Sequence, residues 1–127
     1  MIVDSSALMS ILLAEDDAAA LGVALGASAE PRISAATLVE AGIVAGRERH
    51  GVLDDVLEGV EVVPFDRAQA LVARAAYLRY GKGSGSRARL NFGDCFSYAL
   101  AKVTGEPLLF KGDDFSHTDI TPALTAG

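Results

Sequence analysis

Short apolar runs alternate with longer helical patterns along this chain, and that alternation constrains the fold more than any other feature. Ile2-Val3-Asp4, Arg32-Ile33-Ser34, Glu61-Val62-Val63-Pro64-Phe65 and Leu108-Leu109-Phe110 read as strands, with Thr118-Asp119-Ile120 as an added edge strand. Between them, one helix runs from Ser5 or Ser6 to about Leu13, and a second opens at Asp16-Asp17 and continues towards Ala27. A third runs from about Ala36 to Arg49 and is ended by His50-Gly51, and a shorter one follows over Val52–Gly59. Asp66 caps the next, with an apolar stripe of Ala68, Leu71, Val72, Ala75 and Ala76. Asn91 caps the last, whose stripe is Phe92, Cys95, Phe96, Ala99, Leu100 and Val103, and Gly105 stops it. Strands separated by helices pair in parallel, because a parallel neighbour needs a long crossover. The predicted fold is α/β: a single domain over residues 1–127 with a central parallel sheet of four or five strands flanked by helices on both faces.

A chain of 127 residues, half of them apolar, can bury a core without a metal or disulfide staple. Cys95 is the only cysteine and falls within an apolar helical pattern, so it reads as a buried thiol. Asp4 interrupts the amino-terminal segment, no Lys or Arg precedes Ala7–Ala14, and no apolar run reaches the roughly 18 residues of a membrane span. A cytoplasmic protein with no membrane partner is expected. The formal charge of −6 argues against general nucleic-acid binding, but the cations are unevenly placed. Arg79, Lys82, Arg87 and Arg89 cluster in and around a Gly- and Ser-rich loop over residues 81–90, with Tyr77 and Tyr80 nearby. Cations with interleaved aromatics suit RNA phosphates and bases, although the same segment also reads as a solvated loop. Leu8, Leu12, Leu21 and Leu25 can serve either the core or an apolar surface for a partner.

In a parallel sheet, ligands bind at the carboxyl ends of the strands near a topological switch point. Acids stand where that rule points. Asp4 ends the first strand, Glu40 lies early in the helix after the second, Asp94 lies in the first turn of the helix before the fourth, and Asp113 and Asp114 follow the fourth. Each alone also reads as a cap: Thr37 to Glu40 fits a capping box, as do Asn91 and Asp94. As a poorly solvated set they repel one another unless a cation compensates, and hard oxygen ligands suit Mg²⁺, with Mn²⁺ as an alternative. His50 and His117 stand apart, so no zinc set forms, and there is neither a Ser-His-Asp signature nor a phosphate-binding glycine loop.

Three stretches carry a family likeness: Met1-Ile-Val-Asp-Ser-Ser6, Ser34-Ala-Ala-Thr-Leu-Val-Glu40, and Leu90-Asn-Phe-Gly-Asp-Cys-Phe-Ser-Tyr-Ala-Leu-Ala101. In order and spacing they resemble the PIN-domain nucleases, and with Pro107-Leu-Leu-Phe-Lys-Gly-Asp-Asp-Phe115 the chain resembles VapC-type toxin ribonucleases. The resemblance implies a Mg²⁺-dependent endoribonuclease that cuts a structured RNA such as tRNA or rRNA. It also implies inhibition by a VapB-type antitoxin, and a homodimer. By position it makes Asp4 and Asp94 the direct metal ligands and Glu40 a further catalytic acid, with Ser5 and Asn91 in support. Aligned on Phe115, Asp114 matches the family's later acid and the earlier one falls on Gly112, so the sequence leaves open whether Asp113 or Asp114 faces the metal. Such a site is expected to activate water for in-line attack on phosphorus, leaving 5′-phosphate and 3′-hydroxyl ends. Two other readings remain: a PIN-domain RNA-processing nuclease without an antitoxin, and an inactive RNA-binding module. A Mg²⁺-dependent phosphatase is disfavoured, because Asp4 is followed by Ser5-Ser6 rather than by a second Asp two residues on.

Overall fold

The structure, a computed structural model, describes residues 1–124. Its elements are β1 (Ile2–Val3), α1 (Ser5–Leu12), α2 (Ala18–Ala27), β2 (Arg32–Ser34), α3 (Ala35–Val56), β3 (Glu61–Val63), α4 (Arg67–Tyr80), α5 (Phe92–Thr104) and β4 (Leu108–Leu109). The four strands form one parallel sheet in the order β3-β2-β1-β4. The chain adds β2 and β3 on one side of β1 and then crosses to add β4 on the other. That reversal puts the switch point between β1 and β4, so the crevice opens beside Asp4.

Alternation along the strands builds two cores. Ile2 and Leu108 face one side and pack with Ala76, Tyr80, Tyr98 and Leu100 from α4 and α5. Val3, Ile33 and Leu109 face the other and pack with Ala7, Leu8, Leu21, Leu25, Ala41 and Leu53 from α1, α2 and α3. The three-layer α/β arrangement expected from the sequence is therefore present. Leu8, Leu21 and Leu25 belong to the core and are not free for a partner.

Several local expectations need correction. The break in the third helix falls at Gly46, not at His50-Gly51: its φ of 68° and ψ of −176° lie outside the helical region and suit only glycine. β3 stops at Val63, because Pro64 lacks the N–H that a ladder requires. The buried face of α4 is Gln69, Ala73, Ala76 and Tyr80, whereas Ala68, Leu71 and Ala75 are exposed. Gln69 turns inward because its amide donates to the Pro64 carbonyl at 3.0 Å, which rotates the helix from the simple apolar reading. Phe92 and Val103 are exposed at the two ends of α5, whose middle is buried nearly all round. No strand forms over residues 118–120; Leu108 instead makes one parallel bridge to Pro122. Among the described residues, no helix is long and apolar enough to cross a membrane.

Asp66, Asn91 and Gly105 cap as the sequence predicts, whereas α1 is capped by Asp4 rather than by Ser5 or Ser6. The Asp66 side chain accepts from the Gln69 amide at 2.9 Å at the start of α4, and Gly105 ends α5 in the left-handed conformation, with φ 71°.

Candidate active site

Asp4 leaves β1 as the N-cap of α1 and is buried, with 1% of its surface exposed. Its Oδ2 accepts from the Ser6 amide at 3.0 Å, and its Oδ1 accepts from the Ser97 hydroxyl at 2.6 Å. Ser97 lies within 3.2 Å of the Thr37 hydroxyl, so β1, α3 and α5 meet at this carboxylate. Asp94 sits in the first turn of α5 in a reciprocal capping box. Its Oδ2 accepts from the Asn91 amide at 3.0 Å, and its own amide donates to the Asn91 side chain at 2.9 Å. The capping role and a role at the site therefore coexist in Asp94.

Glu40 does not cap its helix. Ser34 takes that place, its hydroxyl accepting from the Ala36 amide at 3.3 Å. The half-buried Glu40 carboxylate instead accepts from the Ser5 hydroxyl at 2.8 Å and lies against the start of α5 at Gly93. A Cβ at position 93 would come within 1.8 Å of Glu40 Oε2, so a larger residue there would push the Glu40 carboxylate aside. The positive end of α5 favours an acid at that spot.

The fourth acid comes from the loop after β4. The Lys111 amide donates to Ser6 Oγ at 3.0 Å, and its ammonium pairs with Glu15 at 3.2 Å and Asp17 at 3.3 Å. Beyond it, buried Phe115 packs on Phe110 with ring centroids 5.2 Å apart. Between these anchors, the negative charge of Asp114 acts on Asp94. Asp113 lines a concavity with Asp17, Lys111 and Ser116.

The charge balance of this cluster is unusual. Burial pushes the Asp94 carboxyl up to about 7, opposed by the Asn91 amide and reinforced by the negative charges of Asp4 and Asp114. Burial also raises Glu40, with the charge of Asp4 adding to it and the Ser5 hydroxyl working against it. The charges acting on both groups are acidic. Such an all-oxygen set fits a hard divalent cation, which would offset the mutual repulsion. Among the described residues, no three acidic, histidine or cysteine side chains group closely enough to enclose a metal alone. A cation here would draw on water as well, as Mg²⁺ usually does. Cys95 supplies no nucleophile: burial raises its thiol to about 11.

Lys82, Arg87 and Arg89 are exposed on the loop that leads into Asn91, and Arg79 is exposed on the last turn of α4. Tyr80 cannot stack on a base. It is buried against Tyr98 at 5.9 Å, with the Arg79 guanidinium 4.9 Å over its ring. Tyr77 is the exposed aromatic of the pair.

The PIN-domain family model matches residues 1–120. Ribonuclease VapC42 of Mycobacterium tuberculosis is 51% identical over 98% of this chain and all of its own length. Ribonuclease VapC28 of the same organism is 52% identical over 98% of both chains. The chain belongs to the VapC-type PIN-domain ribonuclease family. Its fold is likewise that of a toxin–antitoxin complex from Klebsiella pneumoniae, with a TM-score of 0.73, 17% identity and 98% of both chains covered. It is also that of M. tuberculosis VapC20, a sarcin–ricin loop cleaving toxin, with a TM-score of 0.70, 16% identity, and 95% of this chain and 98% of that one covered.

The sequence reading assigns no place at the candidate site to Ser97, Thr37 or Gly93, although it reads Thr37 as a capping residue. Ser97 stands one helical turn after Asp94, which marks it as a neighbour, but its bond to Asp4 joins residues 93 positions apart. Gly93, lacking a side chain, signals nothing until Glu40 is seen against it.

Two outcomes are expected. Asp94→Asn keeps an acceptor for the Asn91 amide and removes the repelled charge. Because the folded carboxyl of Asp94 lies above its unfolded value of 3.8, native protein holds the proton more tightly and loses stability as pH rises through about 7. Without divalent ions, the variant should therefore melt above wild type near pH 8, with the gap closing towards pH 4; a lower Tm at pH 8 would contradict the assignment. Gly93→Ala displaces Glu40 and should lower divalent-ion affinity about 10–100-fold while the fold is kept, as read by titration calorimetry and circular dichroism; unchanged affinity would show that the close approach is incidental.

Proposed function

We propose that this chain is a Mg²⁺-dependent endoribonuclease, with Mn²⁺ able to substitute, and the toxin of a VapBC-type pair acting in the cytoplasm. Its substrate is a structured RNA, tRNA or rRNA. The observation that supports this reading is that Asp4, at the switch point of the sheet, is bonded to Ser97 of α5 while Glu40 is bonded to Ser5, with the charge of Asp4 acting on both Glu40 and Asp94 and that of Asp114 on Asp94. The ribonuclease names of relatives about 51% identical over nearly the whole chain support the reaction class.

When bound, the cation supplies an activated water for in-line attack and neutralises charge on the phosphate. The chain's own work is positioning. Asp4 and Asp94 are the ligands we assign to the metal. The Ser6 amide and Ser97 hydroxyl fix Asp4, and Asn91 fixes Asp94. Glu40, held by Ser5 and raised by burial, is the acid we assign as the proton acceptor. Asp114, whose charge acts on Asp94, is the acid we assign to complete the acidic wall.

A protein partner has a surface to cover. Val39, Ile43, Val44 and Phe92 are exposed and border Glu40 across α3 and α5. An apolar face of this kind beside a catalytic acid suits a VapB-type antitoxin that shuts the site, and the apolar surface continues around Phe92 towards Tyr77 and Leu78, leaving room for a homodimer contact.

The test is incubation of antitoxin-free protein with total RNA in Mg²⁺, Mn²⁺ or EDTA, beside Asp4→Ala and Asp94→Asn. Discrete metal-dependent cuts with 5′-phosphate ends, reduced at least about 100-fold in both folded variants, are expected. A 2′,3′-cyclic phosphate product would sink the mechanism, and folded wild type that cuts nothing with either metal would leave a binding module.

A further inference from the structure

We propose that the concavity lined by Lys82, Gly83, Gly85, Ser86 and Arg89 is a second phosphate seat, taking a backbone phosphate of the RNA away from the cut. The proposal rests on the ribonuclease reading above and names where that substrate is gripped. In a chain with net charge −6, this lining carries two cations and no acid. Of the four cations in this region, Lys82 and Arg89 line the concavity; Arg79 is engaged over Tyr80, and Arg87 is not among the lining residues.

The loop is built, not slack, contrary to what its glycines suggest. The Lys82 amide donates to the Leu90 carbonyl at 3.0 Å, and the Leu90 amide donates to the Tyr80 carbonyl at 2.8 Å, closing the loop at its base. Inside it, Ser84 Oγ donates to the Gly81 carbonyl at 2.6 Å and accepts from the Ser86 amide at 3.2 Å, and Ser86 Oγ accepts from the Ala88 amide at 3.1 Å. Gly83 and Gly85 hold φ values of 84° and 87°. Arg89 also sits in the left-handed region, with φ 53°, between Ala88 and Leu90, both fully buried. A non-glycine residue is disfavoured there, and glycine would suit the backbone better. Arg89 is exposed between two core residues, so its side chain is presented to solvent at the same concavity as Lys82. Asn91 follows two residues later and caps the helix that carries Asp94, so the seat is covalently coupled to the acidic site.

The test uses fluorescein-labelled mixed tRNA bound to full-length protein carrying Asp94→Asn, which prevents cutting, at 50–200 mM salt. Adding Lys82→Ala with Arg89→Gly should weaken binding about tenfold and reduce the slope of log K against log salt by about 1–2. Arg89→Gly alone should weaken binding while leaving Tm at or above that of its parent, a combination that a structural role for Arg89 would not produce. Arg89→Lys should retain most of the affinity. Unchanged binding and slope in the double variant, or a loss that tracks a fall in Tm, would overturn the seat. Inorganic phosphate should not displace the tRNA at concentrations matched in ionic strength by chloride; specific displacement would assign the concavity to free phosphate instead. Failure of wild type to cleave RNA would fell the nuclease reading without altering these binding results, whereas cleavage with a silent double variant would fell the seat alone.

Discussion

Asp4 is buried at the end of β1 with its two oxygens held by the Ser6 amide and the Ser97 hydroxyl. A carboxylate in such a place is costly unless its hydrogen bonds are satisfied, and here they come from two different elements. The same contacts draw α5 against the carboxyl end of the sheet, which brings Asp94 in, and α3 against α5, which sets Glu40 on Gly93. Asp114 arrives last, on a loop tied to α1 by the Lys111 amide and to the core by Phe115. The scaffold thus spends backbone amides and hydroxyls on holding acids close together, and the surplus negative charge is left for a cation to offset.

Around this acidic centre the surface divides by chemistry. Towards α3 it is apolar, with Val39, Ile43, Val44 and Phe92 exposed beside Glu40. Towards the loop before α5 it is basic, with Lys82 and Arg89 in a concavity free of acids. On the proposed reading, RNA would use the basic surface and a protein partner the apolar one. In this arrangement a protein partner can block the centre without reproducing the contacts of RNA.

Much of this was legible in the order of residues. Strand–helix alternation identifies the parallel sheet, and acids at strand ends point to its carboxyl edge, because both depend on local pattern and a general topological rule. Asp4, Glu40 and Asp94 are visible in that way. The choice between Asp113 and Asp114 is not, since adjacent residues in an irregular turn point in different directions and no periodicity tells them apart. Gly46 hides within a continuous helical pattern, and Gln69 on α4 reads as surface until its bond to Pro64 is seen. Arg89 stands out in sequence only as one of four clustered cations, and its left-handed backbone and its place beside Lys82 are seen only in the fold.

The acids repel one another, and on the proposed reading a divalent cation would offset that repulsion. The most direct test of that reading is calorimetric titration of Mn²⁺ into wild-type protein near pH 7, run in two buffers of different protonation enthalpy. Because the Asp94 carboxyl is raised to about 7, binding should release a substantial fraction of one proton, seen as a buffer-dependent heat that vanishes in Asp94→Asn. Binding with the same heat in both buffers, or no binding at all, would contradict the account.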